Sequence, residues 1–241
     1  MTTNSVLQGQ RVLVVGRAGG IAQAVVLAAR AAGATVIVAG RDCAGLTAAY
    51  ADDPGISAES VDLTDEDSIA ALAERVGRVD HVVSTASARA RGRLPDLDRD
   101  ALLRSFDTKV VGPLLLARHF ASRINPGGSL VLFSGVAASK IAVGTLGVAI
   151  TNGAAEVLTR SLALELGPIR VNAVSPGVID TGAWDALGPD GRDRYFAEIT
   201  QRNPVRRIGT VEDVTSAVLF ALTNTFLTGQ TLHVDGGEVL G

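Results

Sequence analysis

The stretch VLVVGRAGGIAQAV (12–25) decides the fold of this chain. Val12–Val15 form an apolar, β-branched run of the kind found in buried strands. Glycines then stand at 16, 19 and 20, and IAQAVVLAARAA (21–32) follows with helical spacing of its apolar residues. A strand, a tight glycine turn and a helix in that order let backbone approach a pyrophosphate. The helix N-terminus supplies free N–H groups and the positive end of its dipole. Glycine clusters also serve ordinary turns; this one gains meaning from joining the first strand to the first helix.

Outward from that turn, short β-branched runs alternate with Ala/Leu-rich helical patterns. RVLVV (11–15), TVIVA (35–39), SAESV (57–61), DHVVS (80–84), SLVLF (129–133), IRVNAV (169–174) and QTLHV (230–234) read as strands. Helices are expected at 21–32, 65–76, 99–124, 152–166 and 211–223, the second opening on the acid-rich start TDEDS. Nearly continuous apolar strands alternating with helices predict an α/β fold. It should be Rossmann-like and doubly wound, a seven-stranded parallel sheet with helices on both faces. With no linker, repeat or low-complexity block, 1–241 reads as one domain. Segment 178–209 breaks the pattern, placing Trp184, Tyr195 and Phe196 among polar residues, and is expected to form a substrate flap.

The 241 residues are 47% hydrophobic and carry a net charge of −3, which gives no reason to expect a nucleic-acid or membrane partner. RARGR (89–93) and RR (206–207) read as solvated faces. Cys43 is the single cysteine, so internal disulfides are excluded and a reducing, cytoplasmic setting fits. His81, His119 and His233 have no ligand spacing, and no metal site is expected. The polar start MTTNSVLQGQ lacks a signal peptide's pattern, and no apolar run is long enough to span a membrane.

The second strand ends in AGRD (39–42). A basic residue at that tip pairs with a ribose 2′-phosphate, whereas an acid accepts from a 2′-OH. Arg41 comes first and Arg17 lies in the glycine turn, so NADP(H) is favoured. The alternative is NAD(H), with Asp42 on the ribose and Arg41 in solvent. Asp62, after the third strand, suits either an adenine amino group or the capping of its own turn.

VGRAGGIA, VDLTDEDSI (61–69), RSLALELGPIRVNAVSPGVIDT (160–181), RRIGTVEDV (206–214) and FLTGQTLHVDGG (226–237) together resemble the short-chain dehydrogenase/reductase family over the full length. The first differs from the family's TGxxxGIG by Val15 for Thr and Ala22 for the last Gly. The resemblance implies a cofactor site built from Gly16, Arg17, Gly19, Gly20, Ile21, Arg41, Asp62, Leu63 and Ala86. Pro176, Gly177, Val178 and Thr181 would line the nicotinamide. It also implies a small-molecule substrate and a homotetramer or dimer joined through the two long helices and the C-terminal strand.

Departures from the family pattern are equally informative. Its NNAG is STAS here (84–87). Its catalytic Asn, Ser, Tyr and Lys fall on Lys109, Gly135, Val148 and Asn152 when the flanking motifs are aligned. The Asn and Lys are thus exchanged. Lysine is scarce, occurring only at 109 and 140, and a buried ammonium at 109 would have a lowered pKa. The residues point to Lys109 as acid or electrostatic anchor and Asn152 as holder of the cofactor ribose. Ser134 would stand in for the missing serine. The alternative for Lys109 is a side chain snorkelling to solvent. Ser87, Thr145 and Tyr195 are further donors, Tyr50 lies too near the adenosine side, and Lys140 is expected to project into solvent.

Loss of a positioned acid costs about 10²–10⁴ in rate. An iminium or enone can nevertheless accept hydride without a dedicated donor when held over the nicotinamide. The expected function is an NADP(H)-dependent oxidoreductase with a non-standard site, acting on an activated C=O, C=C or C=N bond. The alternatives are a catalytically silent NADP(H)-binding sensor and an enzyme using the scaffold for a non-redox step.

Overall fold

The apolar strands of this chain are buried on both faces, which requires helices on both sides of one sheet. The computed structural model describes residues 5–240 and has that architecture. In chain order the elements are β1 (Arg11–Val15), α1 (Gly20–Ala31), β2 (Thr35–Gly40), α2 (Cys43–Ala49), β3 (Ile56–Ser60), α3 (Glu66–Val76) and β4 (Val79–Ser84). They continue with α4 (Arg99–Phe106), α5 (Gly112–Phe120), β5 (Ile124–Phe133), α6 (Leu146–Glu165), β6 (Arg170–Pro176), α7 (Pro189–Arg202), α8 (Val211–Thr223) and β7 (Thr231–Val234). The sheet runs β3-β2-β1-β4-β5-β6-β7, every neighbour pair parallel.

Alternation along β1 divides the core. Val12 and Val14 join Val25 and Val26 of α1 and Val214 and Val218 of α8 on one face. Leu13 and Val15 meet Ile69 and Leu72 of α3 and Leu116 and Phe120 of α5 on the other. Each fully buried side chain of this kind contributes about 1.5–3 kcal/mol relative to exposure.

All seven expected strands form, with ends displaced by a residue or so except that β5 starts at Ile124. The helices depart more. The expected 99–124 helix is α4 and α5 joined by a π-turn at Asp107–Val111, ending at Phe120. Pro113 explains the widening: it has no N–H to donate to the carbonyl four residues back, that of Lys109. Gly112 N–H instead bonds Asp107 O, five residues back. α6 opens at Leu146 rather than 152, and α2, where Asp42 accepts a bond from Gly45 N at 2.9 Å, was not expected. Segment 178–209 is largely ordered secondary structure, a short 3₁₀ turn at Asp185–Leu187 followed by α7.

The strand order reverses direction between β1 and β4. There the C-terminal ends of β1, β4, β5 and β6 lie side by side. Their extensions are held by Thr85 N–Val15 O and Ser134 N–Val174 O bonds, each 2.9 Å. Ligands of open α/β sheets bind at such a switch point.

Candidate active site

At the end of β1, Gly16 donates its N–H to Ala39 O at 2.9 Å. A Cβ at Gly16 would collide with Thr85 Oγ1 and the Ala22 side chain, so the turn can close only over glycine. Gly20 has φ +55, the left-handed region that favours glycine, and a Cβ there would sit 3.4 Å from Thr181 Cβ. Above Gly19, which caps α1, there is open space. The first turn of α1 carries neither a capping side chain nor an acid, leaving its N–H groups for an anion.

Arg17 and Arg41 are exposed, and among the described residues neither has an ion-pair partner. Asp42 caps α2. Asp62 accepts bonds from Thr64 N and Oγ1 at 2.9 and 2.8 Å. Thr64 and Arg41 hold its carboxyl below the usual range, the Thr64 amide contributing most. Leu63 is buried in the core against Gly112, while Ile21 and Ala86 are half-buried at core edges.

Lys109 and Asn152 donate to neighbouring carbonyls, those of Ser134 and Gly135. Lys109 sits in the π-turn, 8% exposed, and donates Nζ–H to Ser134 O at 3.0 Å. It does not snorkel. Burial, and then the charge of Arg89, push its pKa down to about 7. Asn152, on α6, is 3% exposed; its Nδ2 donates to Gly135 O at 3.1 Å and its Oδ1 is buried without a partner. An orphaned buried acceptor is costly unless a ligand donor meets it. A Cβ at Gly135 would lie 2.9 Å from Asn152 Nδ2, so a serine there conflicts with this asparagine. Val148, one turn earlier, is half-buried.

Ser134 Oγ is turned elsewhere, 2.7 Å from Glu156 Oε1 and 3.2 Å from Asn152 O. Glu156, one turn beyond Asn152 on the same helix face, was not anticipated. Thr145 Oγ1 donates to Ala142 O at 2.7 Å, closing the turn before α6. Lys140 corrects the expectation of a solvent-directed chain: its Nζ donates to Glu238 O at 2.8 Å.

The mouth of the site contains groups that composition alone did not single out. Arg89 is largely exposed, and partial burial of its guanidinium, then Arg91 and Arg17, lower its pKa. It also acts on Lys109. Arg89, Arg91 and Arg93 of RARGR are exposed, as expected of a solvated face. Across from it, α7 presents Tyr195, stacked on Trp184 at 4.8 Å, with Arg192 5.2 Å over Phe196. Tyr195 has a raised pKa, from burial first and then Glu238. Glu238 is buried, accepts from Val178 N at 3.3 Å, and is itself raised chiefly by burial.

The groove of about 470 Å³ between α1 and α8 reaches the site only through Gly20 and Thr181. Among the described residues no group of His, Cys, Asp and Glu could hold a metal, and no helix is long and apolar enough to cross a membrane.

A switch-point glycine cradle, an uncapped helix N-terminus and an orphaned acceptor beside Gly135 suit a nicotinamide-dinucleotide fold. The chain belongs to the short-chain dehydrogenase/reductase family of oxidoreductases, as three comparisons agree. The family profile described as enoyl-(acyl carrier protein) reductase matches residues 16–238. The chain is 34% identical to the L-xylulose reductase of Mesocricetus auratus, covering 96% of this chain and 97% of that one. It superposes on a small-chain dehydrogenase in complex with NADPH with TM-score 0.81 at 31% identity, covering 96% of this chain and 99% of the other. With MalC reductase/Diels-Alderase from Malbranchea aurantiaca the TM-score is 0.91 at 25% identity, covering 99% and 100%.

Proposed function

We propose that this protein is an NADP(H)-dependent oxidoreductase in which Lys109 replaces the family tyrosine as acid and Asn152 replaces the lysine as ribose ligand. The single observation that carries this reading is the buried Lys109 ammonium, 3.0 Å from Ser134 O, with its pKa at about 7. A pKa near working pH suits a group that must hold and then release a proton. Gly16, Gly19 and Gly20 would hold the pyrophosphate, and Arg17 and Arg41 the 2′-phosphate. Pro176, Gly177, Val178 and Thr181 would line the nicotinamide, which supplies hydride when bound. Asn152 Oδ1 would accept from a ribose hydroxyl. Lys109 Nζ would place a proton beside the atom that gains charge as an activated C=O, C=C or C=N bond is reduced. Buried apolar neighbours, Val178 among them, exclude competing water.

The single cysteine fits work in the cytoplasm. Exposed apolar residues on α4, α5 and α6 support a homodimer or homotetramer. Fluorescence titration with NADPH and NADH tests the cofactor assignment, with NADPH expected to bind at least about tenfold more tightly through its 2′-phosphate. Binding of neither overturns the reading. Transfer of deuterium from 4-deuterated NADPH to ketones, enones and cyclic imines then tests catalysis. Val148 at the tyrosine position and the likeness to MalC favour, as the second reading, a cofactor-binding scaffold for a non-redox step. Binding without deuterium transfer to any substrate is its signature.

A further inference from the structure

Three arginines lie near enough for their charges to act on one another and have no salt-bridge partner among the described residues. Arg89 and Arg91 belong to the loop between β4 and α4, and Arg17 belongs to the glycine turn. Among the described residues none of the three forms an ion pair or a side-chain hydrogen bond, whereas most other arginines do. Their charges bear on one another and, through Arg89, on the Lys109 ammonium.

The backbone of the loop that carries Arg89 and Arg91 is pinned. Thr85 Oγ1 is tied to Val15 O at 3.0 Å, and Ala88 O accepts from Ser105 Oγ at 2.7 Å. Ala90 is buried so close to α6 that a Cβ on Gly147 would come within 2.8 Å of Ala90 O, and Gly92 N bonds Gly144 O at 3.1 Å. Arg89 and Arg91 thus alternate with pinned positions on a loop held against α6 at Gly147, beside Val148. Tyr195, on which the charges of Arg91 and Arg89 also act, packs on Trp184, which is fixed by its Nε1 bond to Ile179 O at 2.9 Å. Glu238, whose charge acts on Tyr195, is already engaged by the Val178 amide.

Like charges held together by a pinned backbone are stabilised when an anion enters between them. A dinucleotide's phosphates can neutralise Arg17 at the glycine turn. Arg89 also bears on Lys109, and Arg89 and Arg91 both bear on Tyr195, the side of the site assigned above to substrate. We propose that Arg89 and Arg91 bind an anionic group of the substrate, a carboxylate or a phosphate, so that the natural substrate is an oxo acid or a phosphorylated ketone. The proposal deepens the NADP(H) reading and rests on it for the side of the cleft assigned to substrate.

The test is calorimetric titration of the NADP⁺-loaded protein with two matched pairs, acetoacetate against methyl acetoacetate and dihydroxyacetone phosphate against dihydroxyacetone. At least one anion should bind more tightly than its neutral partner by about tenfold or more, and the pair that does so tells carboxylate from phosphate. In the doubly substituted variant Arg89→Gln, Arg91→Gln that ratio should fall close to one, while NADPH affinity changes by less than about threefold. Equal affinities within both pairs overturn the proposal. So does a variant that keeps the anion preference, or one that loses NADPH affinity instead. NADPH titration of the unsubstituted protein, run separately, reports failure of the cofactor reading on its own.

Discussion

Lys109 shows how a rare residue gains meaning from its surroundings. It is one of two lysines in the chain, and burial brings its pKa to about 7. As the proposed acid it must be protonated, and the proton is lost as pH rises through that value. The kcat/KM for reduction is therefore expected to fall above about pH 7. Lys109→Met should lower the rate by about 10²–10⁴ and abolish this limb of the profile, with little change in NADPH affinity. A variant with the wild-type pH profile would exclude the assignment. Asn152 was legible in the same way, by its position in a helix aligned through RSLALEL. Arg89, Glu156 and Glu238 were not, because each acts through a neighbour distant in sequence: Lys109, Ser134 and Val178 respectively.

The π-turn between α4 and α5 is the element that matters most to the site, since Lys109 lies within it. Its cause was in the sequence, at Pro113, but helical periodicity across 99–124 hid it. The α6 helix carries two faces with different tasks. Asn152 and Glu156 point into the site, whereas Leu146, Ile150, Val157 and Leu164 leave an exposed apolar stripe at helical spacing. Leu103, Val111 and Leu114 extend such a surface along α4 and α5. If these faces pair between copies, sedimentation velocity should show a dimer or tetramer, and Ile150→Glu with Val157→Glu should shift it to a folded monomer. A wild-type protein that sediments as a monomer at all concentrations would rule this out.

At the scale of the whole molecule, His81 ties the sheet together. Its Nδ1 shares a 2.8 Å bond with Ser129 Oγ of β5, and its Nε2 a 2.8 Å bond with Gln10 Oε1 ahead of β1. Burial, then the Arg170 charge, lowers its pKa from 6.5 to about 4, with Asp80 opposing. The folded state therefore disfavours the protonated ring. Stability should decline as pH falls from about 6.5 toward 4, by about 2 kcal/mol at pH 5. Urea unfolding at pH 7 and 5 measures the loss, and His81→Gln should flatten that difference. An unchanged difference in the variant would assign it to other groups.

The sequence by itself determined the parallel, doubly wound sheet, because strands apolar on both faces have no other stable arrangement than between two helical layers. It also marked a tight glycine turn between the first strand and the first helix, and the left-handed φ at Gly20 there admits little but glycine. The tertiary structure alone decided which polar groups meet. Ser134 Oγ turning to Glu156, Asn152 Oδ1 left without a partner, and Arg89 crowding Lys109 all depend on ångström-scale distances between segments far apart in the chain. Residue pattern encodes which face of an element is buried; hydrogen bonding and pKa depend on what the buried face then touches.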